Sequence, residues 1–210
     1  MIFKICGLKE KDSILCCEAN NVSFFGLIFY EKSPRNIALK DAKELVNFSK
    51  NLRISPVGVF VNHKINDLKD IITSLNLKYI QLHGDENQDY ISEIKKSFNI
   101  KIIKKFSIKD EKDLIKLNHI NHTDYLLFDY KPNEDELPGG NSKSFDWNLL
   151  KDTKIKLPWF VSGGINESNI KNIKKIINPN GIDLSSGVEE SLGKKSNEKI
   201  NNLFKVFYDN

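Results

Sequence analysis

The feature that most constrains this chain is a regular alternation. Short runs rich in β-branched and aromatic residues recur, separated by charged segments whose apolar residues fall at helical spacing. The runs are Ile2 to Ile5, Phe24 to Phe29, Val57 to Val61, Tyr79 to Leu82, Lys101 to Phe106, Tyr125 to Phe128, Trp159 to Val161 and Gly181 to Leu184, and each reads as a strand. Between them, sets such as Ala42, Leu45, Val46 and Phe48, or Ile91, Ile94 and Phe98, read as buried stripes of helices. Strands begin roughly every 22 residues, with longer intervals after the second and sixth, which is the length of a βα unit. About eight such units use up the 210 residues and leave none for a second domain.

Strict alternation predicts a parallel sheet, and nearly continuous apolar runs suit strands buried on both faces. An open doubly wound sheet usually has five or six strands and a glycine-rich turn after the first, so eight units favour closure into a (βα)8 TIM barrel spanning residues 1–210. The chain is short for that barrel, so its loops must be short with two exceptions. One runs from Tyr30 to Ala38. The other runs from Tyr130 to Ser144 and contains Pro132, Pro138, Gly139 and Gly140. The second follows strand six at the expected active-site mouth, where it reads as a lid or as a tolerated surface insertion.

Composition narrows the classes of function. Lysine and arginine exceed aspartate and glutamate only slightly, giving a net charge of +4, and the two signs intermix along the chain. Without a basic block there is no footprint for nucleic acid or an anionic membrane. The N-terminus lacks the pattern of a secretion signal, and the longest apolar stretch, Phe24 to Tyr30, falls far short of the about 20 residues of a membrane-spanning helix. The 3 cysteines include no Cys-x-x-Cys pair, so neither a disulfide framework nor a zinc site is expected. Cys16 and Cys17 read as packing residues of a helix, and a reducing cytoplasm is the expected location.

In a (βα)8 barrel the reactive groups stand at the C-terminal ends of strands. There the sequence offers Cys6-Gly7, Ser33-Pro34-Arg35, His83-Gly84-Asp85, Asp129, Gly163-Gly164 and Ser185-Ser186-Gly187. Cys6 and Asp129 lie on strands across the ring, where a thiol and a carboxyl can serve as base and acid in a proton transfer on one small molecule. The alternative is that Cys6 merely packs and Asp129 caps or meets solvent. Lys4 shares the face of Cys6 and is expected to favour its thiolate. Gly163, Gly164, Ser186 and Gly187 let backbone N–H groups approach an anion where barrels often hold phosphate. Arg35 can fork a substrate carboxylate. His83, with Gln81 on the same face, either hydrogen-bonds a ligand or is satisfied by neighbouring backbone. Asp183, inside the last strand, needs a hydrogen-bonding partner in any role.

These motifs resemble the phosphoribosylanthranilate isomerase family of tryptophan biosynthesis. The resemblance runs through Lys4-Ile5-Cys6-Gly7, Ser33-Pro34-Arg35, Val57-Gly58-Val59-Phe60-Val61-Asn62, Gln81-Leu82-His83-Gly84-Asp85-Glu86, Phe145-Asp146-Trp147, Ser162-Gly163-Gly164-Ile165 and Asp183-Leu184-Ser185-Ser186-Gly187-Val188-Glu189. It implies a cofactor-free, metal-free Amadori rearrangement of a small phosphosugar substrate by a monomer or homodimer, with Asp129 as general acid and Cys6 as general base. It further implies that Arg35 holds the anthranilate carboxylate and that Gly163, Gly164, Ser186 and Gly187 hold the phosphate. After Gly139-Gly140 the family usually continues Thr-Gly, whereas this chain has Asn141-Ser142, which predicts weaker phosphate binding with activity kept. The competing expectations are a non-catalytic phosphosugar-binding barrel and another phosphosugar enzyme, such as an indole-forming synthase. The latter would need a lysine acid and glutamates at strand ends.

Overall fold

The structure, a computed structural model, describes residues 1–115, 117, 120–133, 139 and 143–209. Eight parallel strands close on themselves in chain order: β1 (Ile2–Cys6), β2 (Phe24–Phe29), β3 (Ser55–Phe60), β4 (Tyr79–Leu82), β5 (Lys101–Ile108), β6 (Tyr125–Tyr130), β7 (Trp159–Val161) and β8 (Gly181–Leu184), which pairs back on β1. This is the closed barrel expected from the alternation, and every expected run overlaps a strand.

The strands are apolar throughout because both faces are buried. Phe3, Ile5, Phe25, Leu27, Ile80, Leu82, Phe128, Ile182 and Leu184 face outward into the layer shared with the helices. On the inner face, Phe24, Val57, Ile103, Leu127 and Phe160 form a separate cluster, with Ile2, Tyr79 and Tyr125 packed against it. These residues come from the first halves of their strands, so they plug the N-terminal end of the barrel. Side chains on one face recur every second residue, so the next inward layer brings Lys4, Gln81, Lys105 and Asp183. One step further stand Cys6, His83 and Asp129. An apolar floor, a polar middle and a reactive top are thus set by period two.

The helices α1 (Lys11–Ala19), α2 (Leu39–Ser49), α3 (Ile65–Leu75), α4 (Gln88–Ser97), α5 (Glu111–Leu114), α6 (Ile170–Ile176) and α7 (Asn197–Tyr208) ring the barrel. Each longer one buries a stripe of the expected spacing, such as Leu68, Ile72 and Leu75 in α3. The rings of Phe204 and Phe207 in α7 meet Phe3 of β1 edge-on at 4.8 and 4.9 Å. Cys17 is core and Cys16 is half-buried beside Asn201 of α7; both are free thiols, as their reading as packing residues expects.

Two departures from strict alternation matter for function. Between β6 and β7 the described residues form only a 3₁₀ turn, Trp147–Leu150, whose Trp147 and Leu150 fill the place of a helix. The lid expectation falls mostly on residues 134–138 and 140–142, including Pro138, Gly140, Asn141 and Ser142, which lie outside the described residues. Between β8 and α7 the chain inserts an antiparallel hairpin, β9 (Glu189–Ser191) and β10 (Lys194–Lys195), that the sequence reading did not anticipate.

Candidate active site

At the C-terminal end of the barrel lies a cavity of about 840 Å³, counting the space open at its mouth, a volume suited to a small-molecule ligand. Cys6, Arg35, His83, Asp129, Gly163, Gly164 and Ser186 all line it, so seven of the eight residues expected from sequence converge. Gly187 does not line the cavity. It packs behind, where an added Cβ would stand 1.9 Å from the Ile165 carbonyl oxygen, so the glycine is needed for packing.

Cys6 ends β1 directly beside Gly26 of β2. A Cβ at Gly26 would lie 2.7 Å from the Cys6 sulfur, so this strand-interior glycine makes room for the thiol. Burial pushes the thiol's pKa up, Lys4 and Lys195 pull it down, Asp183 adds to the rise, and the net direction is upward. The help expected from Lys4 is therefore limited. Its ammonium, only 1% exposed, sits 2.9 Å from both carboxylate oxygens of Asp183, so its charge is already committed. That pair supplies the partner that Asp183 required.

Asp129 stands across the cavity near the end of β6. Its Oδ1 accepts the Tyr130 backbone N–H at 2.8 Å, and its Oδ2 lies 3.5 Å from Nε2 of His83. On the far side of that ring, Nδ1 meets Nε2 of Gln81 at 2.8 Å. With the amide nitrogen facing the ring, Nδ1 accepts, and the neutral imidazole carries its proton on Nε2, directed at Asp129. Burial lowers the His83 pKa, outweighing the pull of Asp129, which keeps the ring neutral. Two side chains, Gln81 and Asp129, thus flank the His83 ring. Gln81 Oε1 is buried without a hydrogen-bond partner among the described residues.

Two further groups lie near the acid: Lys105, which nothing in the sequence singled out, and Gly139 of the long loop expected at the mouth. Lys105, from the middle layer, is buried with its pKa lowered chiefly by desolvation, while Asp129 opposes that shift. Gly139, the described residue of the long loop's Gly-Gly pair, lines the cavity; a Cβ there would come 2.5 Å from His83 Nε2.

Beside the acid, the wall of the cavity is rich in open backbone donors. The N–H groups of Gly163, Gly164 and Ser186 donate to no group among the described residues. Gly163 and Gly164 have φ of 91° and 61°, a left-handed conformation that costs a residue with a Cβ about 1–2 kcal/mol. At Gly163 a Cβ would also stand 3.0 Å from Asp129 Oδ1. The two glycines thus line the cavity in a conformation that a side chain would strain, and Gly163 leaves space for the carboxyl.

Arg35 lies in the turn before α2, as expected, but it is 3% exposed and already partnered. Its Nε and Nη2 donate to the two carboxylate oxygens of Glu189 at 2.7 and 2.8 Å. That occupies one edge of the guanidinium and leaves the Nη1–Nη2 edge. No group of three or more histidine, cysteine, aspartate or glutamate side chains able to hold a metal ion occurs among the described residues, and no helix there is long and apolar enough to cross a membrane.

A barrel that faces a thiol and a carboxyl across a cavity with an open N–H end and an arginine edge has counterparts among known proteins. The family model for N-(5'-phosphoribosyl)anthranilate isomerase matches residues 3–206. The isomerase of Paramagnetospirillum magneticum is 35% identical, the alignment covering 97% of this chain and 95% of the relative, and that of Rhizobium rhizogenes is 37% identical over 96% and 91%. The crystal structure of the Thermotoga maritima isomerase superposes with a TM-score of 0.87 at 30% identity, covering 98% of both chains. Another solved isomerase, in complex with reduced 1-(o-carboxyphenylamino)-1-deoxyribulose 5-phosphate, superposes at 0.84 with 28% identity, covering 98% of this chain and 97% of its own. Fold, site and near-complete alignment agree, and the chain belongs to the N-(5'-phosphoribosyl)anthranilate isomerase family.

Proposed function

We infer that this protein is an enzyme of tryptophan biosynthesis that isomerises N-(5'-phosphoribosyl)anthranilate to 1-(o-carboxyphenylamino)-1-deoxyribulose 5-phosphate. The observation that carries the assignment of roles is the placement of Cys6 and Asp129 in one cavity, between an open N–H end and the free edge of Arg35. Asp129 gives a proton to the furanose ring oxygen, and the bond from that oxygen to C1′ breaks, leaving an iminium conjugated to the anthranilate nitrogen. Cys6, as thiolate, removes the proton on C2′, and the electron pair neutralises the iminium to give an enolamine. The enolamine tautomerises to the ketone. The enzyme ends with a protonated thiol and an ionised carboxyl, and exchange with solvent resets both. Every step moves protons within one molecule, so the chemistry needs no electron carrier.

The rest of the site follows from the shape of that substrate. Backbone N–H groups at Gly163, Gly164 and Ser186 hold the phosphate at one end, with Gly187 shaping the turn behind Ser186. The Nη1–Nη2 edge of Arg35 holds the anthranilate carboxylate at the other. Between them, neutral His83 orients Asp129, and the open Gln81 Oε1 accepts from a ribose hydroxyl. The raised pKa of the buried free thiol makes its thiolate a strong base, and the cationic iminium, once formed beside it, favours the ionised form that removes the proton. We assign the enzyme to the cytoplasm, acting as a monomer or homodimer; a solved Thermotoga maritima relative is described as monomers generated from a dimeric isomerase.

Turnover of phosphoribosylanthranilate by the purified protein tests this reading, together with rescue of a tryptophan auxotroph. Cys6→Ala and Asp129→Asn should each lose most of kcat while keeping the fold. Full turnover by both variants would reject the assigned roles.

A further inference from the structure

The hairpin β9–β10 brings a buried charge cluster to the mouth of the barrel. Glu189 takes Arg35 at two oxygens, Lys195 Nζ lies 2.6 Å from Glu189 Oε1, and the Gly193 backbone N–H donates to Oε2 at 3.2 Å. Lys195 also donates to the backbone oxygen and hydroxyl of Ser185 at 3.1 and 3.3 Å, and the Ser185 hydroxyl donates to the Cys6 carbonyl at 3.1 Å. A continuous chain of polar contacts thus runs from Arg35 through Glu189 and Lys195 to the backbone of Cys6. The guanidinium stem is pressed from the other side by Gly7, where an added Cβ would lie 3.0 Å from Arg35 Cδ.

We propose that Glu189 and Lys195 are positioning residues that preset Arg35 to read the substrate's ring carboxylate. The inference rests on the carboxylate role of Arg35 given above. Glu189 uses the Nε–Nη2 edge and so fixes the plane and azimuth of the guanidinium, leaving the Nη1–Nη2 edge of this cavity-lining residue without a protein partner among the described residues. A long, rotamer-rich side chain held this way loses little freedom when the ligand arrives. Charge supplies the second half of the argument. Arg35 paired with Glu189 alone would be neutral and would attract a carboxylate poorly; Lys195 restores a net charge of one cation to the cluster. An isolated buried ion cluster is weak ground for stability, which makes ligand recognition the better reason for three buried charges at this place.

The experiment compares two ligands on the full-length protein: reduced 1-(o-carboxyphenylamino)-1-deoxyribulose 5-phosphate and the same molecule with phenyl in place of carboxyphenyl. The ratio of their Kd values isolates the carboxylate. In the wild type the carboxylate should tighten binding about tenfold to a hundredfold, the range of a charge-assisted bidentate contact. Glu189→Gln and Lys195→Met should each cut that ratio about fivefold or more while changing the Kd of the phenyl compound less than about twofold. Glu189→Asp, which keeps the charge but withdraws it by one methylene, serves as the milder variant if Glu189→Gln folds poorly, and it should give an intermediate ratio. If the Glu189 variants keep the ratio, or weaken both ligands equally, while Arg35→Gln abolishes it, the positioning role is wrong and the role of Arg35 stands. If Arg35→Gln also keeps the ratio, the carboxylate reading itself fails.

Discussion

The protonation of Cys6 is where the site's electrostatics meet its rate. An ordinary thiol is only a few per cent ionised at neutral pH, and burial here drives the pKa higher, against the pull of Lys4 and Lys195. With Cys6 as the proposed base, its ionisation is read most cleanly by alkylation, whose rate should climb about tenfold per pH unit through the neutral range and level off only above the ordinary cysteine value. Cys6→Ser removes the proposed thiolate base and should lower kcat/KM about 10² to 10⁴-fold, or about 3–5 kcal/mol of barrier. Lys195→Met removes one of the charges that favour the thiolate and should move the climb in alkylation to higher pH. The assays are turnover of the variant and the pH dependence of Cys6 alkylation by iodoacetamide, read on its own peptide so that half-buried Cys16 does not interfere. A Cys6→Ser variant within about tenfold of wild type, or alkylation that saturates at or below neutral pH, would refute the reasoning.

Three further outcomes follow from the structure. Gly163→Ala must accept a φ of 91° and crowd Asp129 Oδ1; it should cost about 1–2 kcal/mol in urea denaturation and lower kcat more than it weakens binding of the reduced product analogue. Phe160→Ala opens the apolar floor of the barrel and should destabilise by about 3–5 kcal/mol, seen as a drop in Tm. Arg35 and Lys195 hold the Glu189 pKa at about 2, below its ordinary 4.5. A depressed carboxyl contributes stability that is complete above about pH 4.5 and is lost as pH falls toward 2. That contribution, on the order of 2 kcal/mol once solvent screening is allowed for, should vanish from the pH–stability curve of Glu189→Gln.

What the sequence made legible has a physical cause. Strands buried on both faces leave uninterrupted apolar runs, so all eight could be placed, and in a closed barrel the residue ending each run must face the mouth; Cys6 and Asp129 were found that way. The polar middle layer was only half legible. Period two placed Lys4 with Cys6, but the partner that absorbs its charge, Asp183, is 179 positions away and becomes adjacent only when β8 closes on β1. The hairpin stayed hidden because Glu189 and Lys195 sit in a charged stretch that resembles a solvated loop, and their reason for being buried, Arg35, lies 154 positions from Glu189. Gly26 carried a signal that a closer reading would have caught: glycine inside a strand, opposite the one cysteine at a strand end, marks a close approach. A Ser-Gly turn after a strand serves packing or anion binding alike, so the packing need at Gly187, where a Cβ would meet the Ile165 carbonyl, was not legible in the sequence.

The account stands or falls on where the substrate lies between thiol and carboxyl. A crystal structure of this protein with reduced 1-(o-carboxyphenylamino)-1-deoxyribulose 5-phosphate measures that directly. The expected result has the phosphate on the N–H groups of Gly163, Gly164 and Ser186, the ring carboxylate on the Nη1–Nη2 edge of Arg35, and the sugar's C2′ carbon against the Cys6 sulfur with Asp129 on its other side. A ligand bound in the reverse sense, or one that leaves Cys6 and Asp129 on the same side of the sugar or out of its reach, would contradict it.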